Sequence, residues 1–339
     1  MLQLAASPGL FPIDIHPPSD AVALIPLDRI DYERASFLDT RLERRPVATP
    51  PFEEVAQAAA ALPVACDYIF HIGHVGSTLL SRVLGTDPRI FALREPLALR
   101  TFAQARADGA PWSEAAWRLR LGVFLALYSR TWAEGQRALI KATSLVGEIA
   151  PALLELSPGA RALMMTVRPE TYLATILGGP NSRVELSVAA AGRVTRLNRR
   201  LGAGAVRLEG LSDGELAAVS WACEMTALAA AAEANPGRTA WIDFDGFLAG
   251  REAGLAEALA ALGLAGQASA GLARSAYFDR YSKSPEYGYG AGVRAQVLAQ
   301  ARREDGDEIR SGLAWLERAC THAPVARALE IVEGLRVAG

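Results

Sequence analysis

An interior-strand sequence that runs straight into a glycine loop and then into a short apolar helix constrains this chain more than any other feature. Residues 64–72, VACDYIFHI, have the β-branched and aromatic content of a buried strand. Gly73-His74-Val75-Gly76 follows at once, and STLLSRVL (77–84) reads as a helix closed by Gly85. A strand that enters a helix through such a turn aims successive backbone N–H groups and the helix dipole at one point, which makes a nest for an anion. Ser77 and Thr78 add hydroxyl donors in the first turn. An unliganded strand-to-helix turn has the same spacing, so the loop alone does not assign a ligand.

Strand and helix patterns alternate through the rest of the chain. ALIKA (138–142), RALMMTV (161–167) and TAWIDF (239–244) are predicted strands. Helices are predicted for EEVAQAAAAL before Pro63, for 113–133, around 146–156, over 252–262 and in the tail from about 293, and 186–234 reads as two helices broken near Gly202 and Gly210. In 113–133 the residues Trp117, Leu121, Phe124, Leu125, Tyr128 and Trp132 recur at three- and four-residue steps, as a core-facing stripe does. The expected fold class is a three-layer, doubly wound α/β protein with a mostly parallel sheet and helical elaborations. The expected organisation is an irregular N-terminal extension with a short helix (1–62), an α/β core with a helical insertion (63–292, insertion about 186–234) and a C-terminal helical segment (293–339).

Composition removes several classes of function. The chain has 339 residues, 51% of them hydrophobic, and 35 basic against 37 acidic side chains, so it can bury a core and lacks the basic excess of a nucleic-acid-coating protein. Cys66, Cys223 and Cys320 are far apart and form no CxxC, which argues against a disulfide scaffold or zinc ribbon. His71 and His74 form HxxH without a third ligand nearby, so no metal is expected. No GxSxG elbow is present, and no Ser-His-Asp arrangement can be argued. The opening MLQLAASPGLFPIDIH has no basic stretch and is interrupted by Pro8 and Pro12, and Ala258–Ala273 falls short of a membrane span. A cytoplasmic protein without nucleic-acid or membrane partners is expected.

Two further segments bear on chemistry. The loop lacks the lysine of the ATP-type GxxxxGK[ST] loop, because Gly76 is followed by Ser77. Arg168 directly follows the strand RALMMTV, where ligands sit in open α/β sheets, and Pro169 opens the next helix. Its guanidinium could fork onto a phosphate, with Thr175 two helical turns on; a surface ion-pair role fits the same position. Only two of the basic residues are lysine, Lys141 and Lys283, and a compact ammonium is not interchangeable with a guanidinium.

In order and spacing these segments resemble the sulfotransferase family, whose members use 3′-phosphoadenosine 5′-phosphosulfate (PAPS). The family's [KR]-[SA]-G-[ST]-[ST] loop is similar to His74-Val75-Gly76-Ser77-Thr78, and its R-[DN]-P-x-[DE] segment to Val167-Arg168-Pro169-Glu170 with Thr175, one residue shorter between Arg and Pro. WIDFDGFL (241–248) and LAALGL (259–264) look like its late strand, acidic turn and helix end, so the resemblance covers about 64–265. It implies a P-loop-type sheet, PAPS as co-substrate without a metal, and a small acceptor bearing a hydroxyl or amine. It also implies that Gly73, His74, Val75, Gly76, Ser77 and Thr78 cradle the 5′-phosphosulfate and that Arg168 and Thr175 hold the 3′-phosphate.

The resemblance further implies a base at Glu95, in ALREPLALR, with Arg94 beside it either steering substrate or pairing with it. It puts Lys141 near the donor sulfate and Lys283, in YSKSPEYGYG, in a loop closing over the 3′-phosphate. The chain departs from the pattern at His74, where the family has Lys or Arg. A histidine supplies that charge only when protonated, the form a multiply anionic ligand favours. An ATP-dependent kinase-like enzyme and a nucleotide-binding protein without turnover stay open beside this reading. So do a salt-bridged Glu95 and a plain surface loop around Lys283. The sequence names neither the acceptor nor the oligomeric state.

Overall fold

The computed structural model describes residues 2–109, 111–266, 269–280 and 291–338. Two strands, β1 (Leu10–His16) and β2 (Ala21–Pro26), pair antiparallel near the N-terminus. Five others, β3 (Cys66–His71), β4 (Ile90–Arg94), β5 (Arg137–Lys141), β6 (Ala162–Thr166) and β7 (Thr239–Asp243), form a parallel sheet in the order β4-β5-β3-β6-β7. β3, β4 and β6 are buried throughout, with Asp67, His71 and Arg94 among their residues, so they show no apolar–polar alternation, whereas the edge strand β7 is half-buried.

The winding of this sheet positions the site. From β3 the chain passes to the β4 edge, returns to fill β5, and then crosses β3 to reach β6 and β7. The connections after β3 and after β6 therefore leave in opposite directions, and a crevice opens at their carboxyl ends. The helix Ser77–Leu84, with Gly76 as its N-cap and Gly85 as its C-cap, starts in that crevice as the sequence predicts. The helices Pro180–Leu201 and Asp213–Glu233 cover the stretch 186–234 that reads as two helices, and the tail folds as Ala291–Glu304, Gly306–Ala319 and Ala323–Ala338. Trp117, Leu121, Phe124, Leu125 and Tyr128 are buried in one helix, Glu114–Tyr128, and Trp132 beyond it is half-buried. No helix among the described residues is long and apolar enough to cross a membrane.

One expectation is corrected and one segment is added. The N-terminal fifty residues are not irregular. Besides the β1–β2 pair they form the helix Arg29–Arg34, opened by a capping box between Asp28 and Asp31. The segment around Glu95 is the end of strand β4 followed by a helix, Leu97–Asp108, neither of which the sequence pattern revealed. A five-residue strand buried on both faces has no alternation to read.

Arg94 neither steers a ligand nor pairs with Glu95. It is 4% exposed, donates from Nε to the Ala35 carbonyl at 2.7 Å and also reaches the carbonyls of Tyr32 and Glu33. Arg82 does the same for the carbonyls of Glu33 and Arg34 and the Ser36 hydroxyl, at 2.8–3.1 Å. These two buried guanidiniums satisfy the open carbonyls at the end of the helix Arg29–Arg34 and tie it to β4 and to the helix Ser77–Leu84. Backbone bonds from Leu38 to Arg94 and from Leu97 to Leu38 then run residues 36–42 alongside the end of that strand. The N-terminal extension thus becomes a wall of the site.

Candidate functional site

The loop after β3 is held in a conformation that suits glycine. Gly73, His74 and Gly76 have φ of +88°, +54° and +67°. At Gly76 a Cβ would sit 2.0 Å from the Phe244 ring, so both the backbone and the close approach exclude a side chain there. The Gly73 amide donates to His71 Nδ1 at 3.0 Å, and the buried Tyr172 hydroxyl donates to the Ile72 carbonyl at 3.3 Å. These two bonds fix the entry to the loop. No backbone carbonyl among the described residues accepts from the amides of His74, Val75, Gly76, Ser77 or Thr78. Thr78 is 2% exposed and its hydroxyl has no hydrogen-bond partner among the described residues, as is also true of the buried Thr143 hydroxyl across the crevice. Buried donors left open in this way suit an oxyanion.

A cavity of about 900 Å³ lies over the carboxyl ends of the sheet, and all of residues 73–79 line it. Glu95 and Lys141 meet there. The parallel register sets Arg94 opposite Lys141, the Glu95 amide donates to the Lys141 carbonyl at 2.7 Å, and the Lys141 ammonium donates to Glu95 Oε1. Glu95 reaches this pairing with φ of +51°, left-handed for a non-glycine residue, as occurs where surrounding structure dictates the backbone. Lys141 is 1% exposed. On the other side of the carboxylate, Arg41 lies 3.9 Å from Glu95 Oε2 and 3.4 Å above the Phe37 ring.

His74 points toward the helix Pro180–Leu201. Its Nε2 is 3.3 Å from Glu185 Oε2 and its Nδ1 3.4 Å from Ser182 Oγ. Glu185 also meets Arg193 at 3.3 Å, and a chain of ion pairs continues through Glu224, Arg196, Glu148 and Arg200. This network couples the loop to the paired long helices. At the β7 end, Asp243 caps the helix Phe244–Ala249 by accepting from the Gly246 amide at 2.8 Å. Burial pushes the Asp243 carboxyl up; the Gly246 amide counters this, Asp245 adds to it, and the charges of Arg168 and Arg294 pull it back.

Of the residues singled out in the sequence, Gly73 to Thr78, Glu95, Lys141 and Thr175 line one cavity. The Gly73 amide is already engaged by His71, so this glycine shapes the loop without offering a donor. Thr175 directs its hydroxyl to the Thr171 carbonyl at 2.7 Å. Arg168 is exposed and stands outside the cavity lining, close enough to Asp243 to act on its charge. Lys283 lies outside the described residues. The sequence reading missed Arg41, Arg193, Arg196, Arg280 and Arg294, which all line the cavity. Nothing marked them in a chain whose cations are nearly all arginine. Among the described residues no group of three His, Cys, Asp or Glu is placed to hold a metal ion.

No family model matches the chain, and no curated protein does. Among solved structures it is similar to a sulfotransferase from Mycobacterium tuberculosis H37Rv, at 13% identity over 74% of this chain and 80% of that chain, with a TM-score of 0.42. A sulfotransferase from Mycobacterium avium matches at 12% identity, covering 73% and 78% of the two chains with a TM-score of 0.41. The sulfotransferase domain from the curacin biosynthetic pathway matches at 12% identity, covering 69% and 83% with a TM-score of 0.38. These three structures are sulfotransferases. The chemistry proposed for this chain rests on its own residues.

Proposed function

We propose that this chain transfers a sulfuryl group from PAPS to a hydroxyl or amine of a small acceptor. The observation that carries this reading is the loop 73–78, with its left-handed backbone at Gly73, His74 and Gly76, the unengaged amides of residues 74–78 and the buried open hydroxyl of Thr78, placed where the sheet changes winding direction. When bound, PAPS supplies the sulfuryl group and leaves as adenosine 3′,5′-bisphosphate. The amides of 74–78 and the hydroxyls of Ser77 and Thr78 suit its 5′-phosphosulfate end. The absence of a loop lysine weighs against ATP as the ligand.

The two sides of the loop divide the work. Toward β6 and β7 the cavity is lined by Phe244, Leu248 and Phe278, an apolar slot for a nucleoside, and by Arg280 and Arg294. Arg168, at the carboxyl end of β6 and just outside this lining, would hold the 3′-phosphate by turning its side chain inward, and Thr175 would give up its bond to the Thr171 carbonyl to join it. Toward β4 and β5, Lys141 and His74 would face the transferring group, with the Lys141 ammonium neutralising its charge, and Glu95 would take the proton of the acceptor. Positioning and charge neutralisation are the main demands of such a transfer. The Lys141 ammonium also holds the Glu95 carboxylate at the cavity floor, so one ion pair serves both purposes.

Arg168→Ala tests the 3′-phosphate assignment. Affinity for adenosine 3′,5′-bisphosphate is expected to fall at least about tenfold, with adenosine 5′-monophosphate nearly unaffected, because a charge-assisted fork to the extra phosphate is lost. Equal losses for the two ligands, or a selective loss in Arg294→Ala alone, would remove Arg168 from this role.

A further inference from the structure

We infer that the acceptor is itself an anion, bearing an oxyanion such as a carboxylate apart from the group that receives the sulfuryl. This deepens the proposed function and takes from it only the division of the cavity into donor and acceptor sides. On the β4–β5 side the cavity is a cleft between two helices, Leu97–Asp108 and Pro180–Leu201, above the Glu95–Lys141 pair. Arg199 closes one end of it by donating to the Ala107 carbonyl at 2.8 Å. Gly192, with nothing within 4 Å of where its Cβ would be, and Ala189 leave the facing wall open. Val188, 82% exposed, stands at the mouth.

The charges on this cleft do not cancel. Glu95 is engaged by Lys141 and Arg41, Glu185 by His74 and Arg193, and Asp108 by the Gln104 amide. Arg100 lines the same cleft, two turns before Ala107 on the helix that follows Glu95. It has no hydrogen-bond or ion-pair partner among the described residues. An exposed guanidinium in a concave, partly apolar cleft attracts anions from solution and presents a fork matched to an oxyanion. With the carboxylates already satisfied, the preference falls to negatively charged ligands. A cavity of about 900 Å³ has room for a small acceptor beside a nucleotide.

The test compares 4-hydroxybenzoate with 4-hydroxybenzamide by calorimetry on the full chain, with and without adenosine 3′,5′-bisphosphate. The carboxylate is expected to bind at least about tenfold more tightly than the amide in both conditions, and Arg100→Gln to reduce that preference to about twofold or less, with bisphosphate affinity unchanged. Arg100 has no partner to lose, so the variant is expected to keep the wild-type melting temperature. Equal affinities, failure of 4-hydroxybenzoate to bind, or a preference that persists in Arg100→Gln would overturn the inference. Failure of the bisphosphate to bind counts against the donor assignment instead. The carboxylate preference of the unloaded protein is read separately from it.

Discussion

Replacing Glu95 by glutamine is expected to lower sulfuryl turnover by about 10²–10⁴-fold, the usual contribution of a general base, while adenosine 3′,5′-bisphosphate still binds within about twofold of wild type. The amide has nearly the size of the carboxylate and can still accept a hydrogen bond from the Lys141 ammonium, so the floor of the cavity keeps its shape. It cannot take a proton from the acceptor. Single-turnover transfer from PAPS, measured beside bisphosphate affinity, separates the two effects. Unchanged turnover would exclude Glu95 from the mechanism. Parallel loss of turnover and bisphosphate affinity would make the Glu95–Lys141 pair a structural element of the donor site.

A second large effect is expected at Gly76. Alanine there must adopt a left-handed backbone at a cost of about 1–2 kcal/mol. Its Cβ would also fall 2.0 Å from the Phe244 ring. That ring is buried and stacks on Phe247 with centroids 6.3 Å apart, so it cannot swing clear without disturbing the β7 end of the cavity. Gly76→Ala is therefore expected to lose bisphosphate affinity by about 100-fold or more, the equivalent of roughly two or more phosphate hydrogen bonds, and to melt at a lower temperature. Gly122→Ala is the control: this glycine lies inside the helix Glu114–Tyr128 with open space around it, where alanine is the better helix former. Wild-type bisphosphate affinity in Gly76→Ala would show that the loop is not the phosphate site.

What could be read from the sequence was local. The segment 64–85 announces itself because a buried strand, a glycine turn and a helix stop each have a composition of their own, and the helix ends fall at Ser77 and Leu84 as expected. The long helices on either side of 202–212 were legible from uninterrupted helical pattern between glycines. β4 was not, since IFALR is too short to show a period and adjoins the unremarkable REP. The N-terminal strand pair was obscured by Pro12 and by Pro17-Pro18. It is held from outside by tertiary contacts, among them Arg130, which donates to the carbonyls of Leu4, Ser7 and Leu10.

The site itself is built from long-range pairings. Glu95 and Lys141 were each noticed, but their ion pair follows from the β4–β5 register, which no local pattern contains. Glu185 carries no local signal, and only the fold brings it to His74. Arg168 had the strongest local signal of any arginine, yet it stands outside the cavity that Arg41, Arg193 and Arg294 line.

The central claim is that the glycine loop binds a 3′-phosphorylated adenine nucleotide. Calorimetric titration with adenosine 3′,5′-bisphosphate, beside ADP and Mg-ATP at moderate salt, tests it most directly. Saturable binding of the bisphosphate, at least about tenfold tighter than ADP or Mg-ATP, is the expected result, because only the bisphosphate carries the 3′-phosphate for which Arg168 and Thr175 are proposed. Preference for Mg-ATP would make this a kinase-like enzyme, and no binding of any of the three would make the loop an ordinary strand-to-helix turn.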